Sequence, residues 1–307
     1  MRVRLRQVSQ FRGIRRGGTQ LQYFAPSTVE EAVEMLASGP ELRVFAGATD
    51  VVPQTRSGRP VPVGLVDLKK IDRLMSVEQQ DTQWVVGAAT PTSRLTSNAA
   101  FVADLPGVAE AAGLIGSDQV QNRSSLGGNL CNASPAADSV PAMVAAAGRA
   151  VIASGAGTRT VAIADVPTGP GSTSLAPGEF IVEFEFDRPA AGQSDAYLRM
   201  IPRTEMDIAV VGAGVNLTMD GSGTCTAASV ILGAVAPTIV RVPDAEAALV
   251  GSSLDDDALA AAAAAASAAC NPIDDKRGTI KYRKHVAGVL TKRAAKIAAE
   301  RAAGGAQ

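Results

Sequence analysis

Two stretches of nearly bare backbone limit what this chain can fold into. FAGATD, residues 45–50, and SLGGNLCNASPAAD, residues 125–138, each place small residues close behind an apolar segment. Backbone of this kind can take positive φ and offers N–H groups that no side chain obstructs, as a close approach to an anionic phosphate requires. In the second stretch Ser134 reads as a helix cap and Pro135 as the first position of that helix, whose N-terminal end adds partial positive charge. Asp138 fits two roles, a cap for a second helical start at Pro141 or an acceptor for sugar hydroxyls. The same stretch also reads as an ordinary glycine turn before a capped helix, because short glycine motifs recur by chance. Two such loops about 80 residues apart can together wrap an extended dinucleotide.

Between and around these loops the patterning alternates helix and strand. Ser27 or Thr28 can cap a helix with Glu30 and Glu31 in its first turn and Val29, Ala32, Val33, Met35 and Leu36 on one face, ending at Gly39. LRVFAG, VGLVDL, QWVVGAAT and EFIVEFEFDRP read as strands and LPGVAEAAGLIG as a helix. A boundary falls near residues 188–195. After it AYLRM, DIAVVGAGVNLTM and CTAASVILGAV read as three strands, followed by helices capped at Asp255 or Asp256 and at Asp274 or Asp275. In the last helix Tyr282, Val286, Val289, Leu290 and Ile297 form an apolar stripe, with Lys281, Arg283, Lys284, Lys292 and Arg293 largely off it as a solvated face.

Composition removes several functions. A formal net charge of −1 and an isoelectric point near 6.0 leave no basic excess for nucleic acid. The three cysteines, Cys131, Cys225 and Cys270, form no close pair, so neither a disulfide framework, a thiolate metal site nor an iron–sulfur centre is encoded, and the chain reads as cytoplasmic. No apolar run approaches the roughly 20 residues of a membrane span. Arg2, Arg4, Arg6, Arg12, Arg15 and Arg16 make the first residues basic, but no apolar segment follows them as in an export signal. VVGAGVNL supplies Gly212 and Gly214 after a strand, yet position 217 is leucine, so it reads as a core strand and not as a nicotinamide fingerprint. His285 is the only histidine and sits in a basic helix, which suits a surface or packing role better than a triad. No catalytic residue and no metal ligand is expected, and redox chemistry would have to come from an organic cofactor.

Four ordered segments resemble one family, the FAD-binding medium subunit of molybdenum hydroxylases, as in bacterial carbon monoxide dehydrogenase and subunit-split xanthine dehydrogenases. They are FAGATD, QVQNRSSLGGNLCNASPAAD, AYLRMIPRTEMDIAVVGAGV and PIDDKRGTIKYRKHVAGVLTKRA, and the likeness runs from about residue 20 to about residue 300. The resemblance implies an α+β chain. A vanillyl-alcohol-oxidase (PCMH)-type FAD-binding domain would cover 20–190, as subdomains of about 20–73 and 74–190. A smaller domain with an antiparallel sheet and helices would cover 195–301, with 1–19 a basic extension.

The resemblance also assigns a site. Ala46, Gly47, Ala48, Thr49 and Asp50 are similar to the first pyrophosphate loop, and Ser125, Gly127, Gly128 and Asn129 to the second. Asp138 resembles the acid that holds ribityl or ribose hydroxyls, Ile181 an apolar residue near the isoalloxazine, and Arg199 a basic residue near the flavin. Ala48 stands where the family has a second glycine, Asp118 where it has proline, and Ser124–Ser125 where it has Gly–Thr; alanine at 48 matters only if φ is positive there. The implied partners are a large molybdopterin subunit and a small subunit with two 2Fe–2S clusters, in a dimer of heterotrimers that passes electrons to an external acceptor. Two other readings stand beside this one: a self-contained flavin oxidase, and a scaffold subunit that has lost FAD. A flavin brings its own redox centre, which is why such a chain needs backbone donors and a shaped pocket more than a catalytic dyad.

Overall fold

The computed structural model describes residues 9–16, 19–39, 41–57 and 62–304. Of the arginine-rich beginning, residues 1–8, 17 and 18 lie outside the described residues. Ser9–Arg16 is a strand antiparallel to Thr19–Phe24. Thr19–Phe24 in turn lies parallel to Gly64–Asp67, which lies parallel to Leu42–Phe45. The helix Val29–Ser38 connects two of these strands and starts where the sequence places it. Thr28 caps the Glu31 amide, and the Glu31 carboxylate accepts from the Ser27 amide and hydroxyl.

A second sheet of five antiparallel strands follows, in the order Val77–Gln79, Gln83–Gly87, Phe180–Asp187, Arg149–Ser154, Gly157–Ala162. Trp84, Phe184 and Phe186 share its core with Phe101, whose ring meets Trp84 edge-on at 5.3 Å. The third sheet pairs Gln193–Met200, Val211–Met219, Cys225–Gly233 and Val240–Arg241, all antiparallel. The helices Pro243–Leu249, Asp256–Ala269 and Ile280–Ala302 complete a separate core with this sheet. Mixed helices and mainly antiparallel sheets make the chain α+β.

The helix Ser139–Ala145 joins the second core to the third sheet and is buried along almost its whole length. Gly214 explains why VVGAGV carries glycines: a Cβ there would stand 2.7 Å from the Pro141 carbonyl oxygen, so the bare strand lets this helix approach. VVGAGVNL is accordingly a core strand.

Three local expectations are corrected. No helix begins at Pro135; residues 134–138 form turns, and the Ser134 hydroxyl accepts only from the Ala136 amide. The helix starts earlier, as Leu126–Cys131, because Ser125 is extended and its hydroxyl accepts from the Gly128 amide. In the last helix Tyr282 is 40% exposed while Arg283 is buried and donates to the Val210 and Ala234 carbonyls and to Asp275. The inward face therefore runs through Arg283, Ala287, Leu290 and Ala294, and unpaired carbonyls at the sheet end, not apolarity, choose its first residue. Thr279, and neither Asp274 nor Asp275, caps this helix, although Asp274 accepts from the Ile280 amide; Asp255 caps its neighbour as expected.

Candidate functional site

The two bare loops meet. A cavity of about 250 Å³ is walled by the loop after Leu42–Phe45, by the start of Leu126–Cys131, and by the Thr173–Leu175 and Phe180–Ile181 segments. Gly47 is required for the loops to come together, and Gly127 for the second loop to pack on Ala88. A Cβ on Gly47 would lie 2.0 Å from the Arg123 carbonyl oxygen, and one on Gly127 2.5 Å from that of Ala88. Gly128 differs: it is exposed, and a Cβ there would meet only the Ser125 hydroxyl, at 3.3 Å. A side chain at 128 would thus enter the cavity rather than displace protein.

The first loop supplies donors. Among the described residues the amides of Gly47, Ala48, Thr49 and Asp50 donate to no other group, although they line the cavity. Ala48 has φ 62°, the left-handed region, so the alanine is strained where the family's glycine would not be. Unpaired amides that turn through a left-handed residue form an anion-binding concavity. Desolvation raises the Asp50 carboxyl above its ordinary value, with Arg43 pulling it back. Arg43 donates to Gln54 at 3.1 Å and Gln54 to Asn132 at 2.8 Å, tying the first loop's helix Val51–Arg56 to the end of the second. The donor set, the uncovered Gly128 and the apolar end at Ile181 fit a dinucleotide whose pyrophosphate lies between the loops.

Of the residues named from the sequence, Ala46, Gly47, Ala48, Thr49, Asp50, Ser125, Gly127, Gly128, Asn129 and Ile181 all line this cavity. Asp138 and Arg199 are not among its lining residues. They pair with each other at 2.7 Å, both nearly buried, and Asp138 also accepts from Tyr197 at 2.9 Å. Burial raises the Asp138 carboxyl, and Arg199 and the Tyr197 hydroxyl oppose that shift. Asp138 caps nothing; the nearby helix is anchored instead by Asn129, which accepts from the Ser139 amide and hydroxyl. The sequence reading missed Arg43, Cys131, Asn132, Thr173, Leu175 and Phe180 in the walls. Asn132 was within reach, since Ser125, Gly128, Asn129 and Asn132 share one helical face at spacings of three and four. Thr173 and Leu175 arrive from a distant hairpin and leave no local signal.

Fold and site define a two-domain α+β protein with a cavity between two small-residue loops. Residues 19–188 match the model of the FAD binding domain in molybdopterin dehydrogenase, and residues 196–298 that of the CO dehydrogenase flavoprotein C-terminal domain. The carbon monoxide dehydrogenase medium chain of Afipia carboxidovorans is 35% identical over 282 residues, which cover 91% of this chain and 97% of that one. The solved carbon monoxide dehydrogenase from Hydrogenophaga pseudoflava superposes with a TM-score of 0.87 at 34% identity, covering 92% and 98% of the two chains. Quinoline 2-oxidoreductase from Pseudomonas putida 86 gives 0.85 at 30%, with the same coverage. The chain belongs to the FAD-binding subunits of the molybdopterin dehydrogenases.

Proposed function

We propose that this chain is the flavoprotein subunit of a molybdenum-containing oxidoreductase, taking electrons from molybdenum and iron–sulfur partner subunits and delivering them to an external acceptor. The observation that carries the reading is the row of unpaired amides at 47–50 facing the uncovered Gly128 across the cavity. FAD, when bound, supplies a carrier that accepts and releases one or two electrons. The chain's own residues do the rest. The amides of 47–50 and the Thr49 and Ser125 hydroxyls would hold the pyrophosphate, Asp50 would accept from a ribose hydroxyl, and Ile181 with Phe180 would exclude water from the ring end. We assign Asp138 and Arg199 to the flavin's surroundings as an ion pair next to the helix Ser139–Ala145, which Asn129 of the cavity wall anchors. A flavin unit over 20–190 and a second unit over 195–301 follow from the same reading.

The large and small partner subunits, and a dimer of heterotrimers, complete the proposal; relatives named as medium chains of carbon monoxide dehydrogenase support it. Among the described residues no helix is long and apolar enough to cross a membrane, and no cluster of three metal-ligating side chains occurs. A cytoplasmic location is part of the proposal. The test is anaerobic. The isolated, flavin-loaded chain should keep its visible absorbance when candidate organic substrates are added and lose it with dithionite, while the native complex should bleach with its substrate. Bleaching of the isolated chain by an organic substrate would place a substrate pocket in this chain and favour a self-contained oxidase.

A further inference from the structure

The helix Pro106–Gly113 begins without a cap of its own. Leu105 stands at its N-cap position with no side-chain acceptor, and Pro106 has no amide hydrogen, so the first open donor is the Gly107 amide. Its acceptor comes from the other domain, 88 residues along the chain: Asp195 Oδ1, at 2.8 Å, on the first strand of the third sheet. The bare Gly107 admits that strand, because a Cβ there would stand 2.9 Å from the Asp195 Cγ and from the Ala196 backbone.

The rest of the seam closes around this cap. Glu110, one turn along the same helix, accepts from the Tyr197 amide at 3.0 Å and from Arg301 of the last helix, and Arg301 also donates to the Asp195 carbonyl at 2.9 Å. Asp195 is 2% exposed, and its Oδ2 has no hydrogen-bond partner among the described residues. The charges that face it are Glu110 and Arg301, which already hold each other. Its neighbour on Val211–Met219 is the neutral Asn216, and the helix Ser139–Ala145 brings only Asp138, taken by Tyr197 and Arg199. An ionised Asp195 would therefore leave an orphaned anionic oxygen in a buried seam beside a second carboxylate, a cost that a proton removes. The far end of the helix reaches the first cavity. Ile115, two residues past Gly113, lines that cradle between the two loops, and its amide still donates to the Ala112 carbonyl.

We propose that this seam is a proton-linked latch: Asp195 caps the helix Pro106–Gly113 across the domain boundary as the neutral acid, and the helix parts from the third sheet, Ile115 moving with it, as the carboxyl gives its proton to water. The latch needs no flavin and stands apart from the reading under Proposed function. The closed seam holds a proton that the open seam has lost. Closure is therefore favoured at low pH and weakens from about pH 4, the ordinary carboxyl value, to about 7, where desolvation sets the closed value, and it is level above that.

Hydrogen–deuterium exchange of the full-length, flavin-free chain, divided by the intrinsic rate at each pH, tests the latch. Protection of residues 107–115 should stay below that of the strand Gln83–Gly87, fall about tenfold per pH unit between about pH 5 and 6.5, and level off near 7. Asp195→Asn, which keeps an acceptor for the Gly107 amide, should abolish the fall. Glu110→Gln removes the neighbouring negative charge, so its fall should level off at a lower pH, and this variant carries the test if Asp195→Asn does not fold. Equal protection of the two segments, a fall that survives in Asp195→Asn, or a Glu110→Gln protein that levels off at the same or a higher pH would overturn the latch.

Discussion

The carbonyl oxygen of Arg123 stands 2.0 Å from the point a Cβ on Gly47 would occupy, so the two loops of the cradle touch through bare backbone. Gly47 and Gly128 therefore fail in different ways. Gly47→Val should separate the loops and lower the stability of the whole chain, whereas Gly128→Val should leave the melting temperature of the flavin-free protein within a few degrees of wild type and abolish flavin binding. Thermal melts paired with flavin content read both. A Gly128→Val protein with full flavin content would remove position 128 from the pyrophosphate site.

Ala48 holds φ 62° at a cost of roughly 1 kcal/mol relative to glycine, part of which glycine returns through its looser unfolded state. Ala48→Gly should raise stability by about 0.5 kcal/mol and leave flavin affinity equal or tighter. Chemical denaturation of the flavin-free protein measures it, and a destabilised variant would show that the left-handed backbone is not a strain.

Much of this site was legible because it is built from local sequence. FAGATD and SLGGNLCN declare their small residues in order, and the capping of Val29–Ser38 by Thr28 needs only a few neighbouring residues. What was not legible depends on distance. Ser134–Pro135 looks like a helix start, yet the Ser125 cap nine residues earlier takes the helix, and the later turn is held by contacts from elsewhere, the Gly171 amide on Ala133 and the Ala234 amide on Pro135. Arg283 reads as a solvated charge until the carbonyls of Val210 and Ala234 arrive from the third sheet. Asp138 and Arg199 were named from their resemblance to flavin contacts, and only the folded chain shows them paired with each other.

Removal of Arg199 leaves Asp138 as a buried carboxylate without its counter-ion, a change that costs on the order of 3–5 kcal/mol. Arg199→Met should thus be strongly destabilised at pH 8. Burial already raises the Asp138 carboxyl, and loss of the arginine raises it further, so the folded variant takes up a proton as pH falls. Its stability deficit should shrink toward pH 5. A deficit that is flat between pH 5 and 8, measured by urea denaturation, would contradict the pairing.

Asp195 lies at the seam between domains, where its Oδ1 accepts from the Gly107 amide at 2.8 Å and its Oδ2 has no partner. Desolvation pushes its carboxyl up to about 7, with Glu110 adding to the shift and the Gly107 amide and Arg301 opposing it. The folded chain therefore keeps a proton that the unfolded chain has lost above its ordinary value near 4. Stability from this group is present at low pH and declines between about pH 4 and 7. Asp195→Asn should flatten that part of the stability profile, and an unchanged slope in the variant would assign the decline to other groups.

FAD is proposed to lie between the loop at 46–50 and the helix that begins at Leu126. Hydrogen–deuterium exchange of the flavin-free chain, with and without added FAD, reads it directly. The amides of Gly47, Ala48, Thr49 and Asp50 should exchange fast in the free chain and be slowed by FAD together with the 125–132 segment. Bound FAD that leaves both segments unprotected, and slows exchange elsewhere instead, would contradict the site.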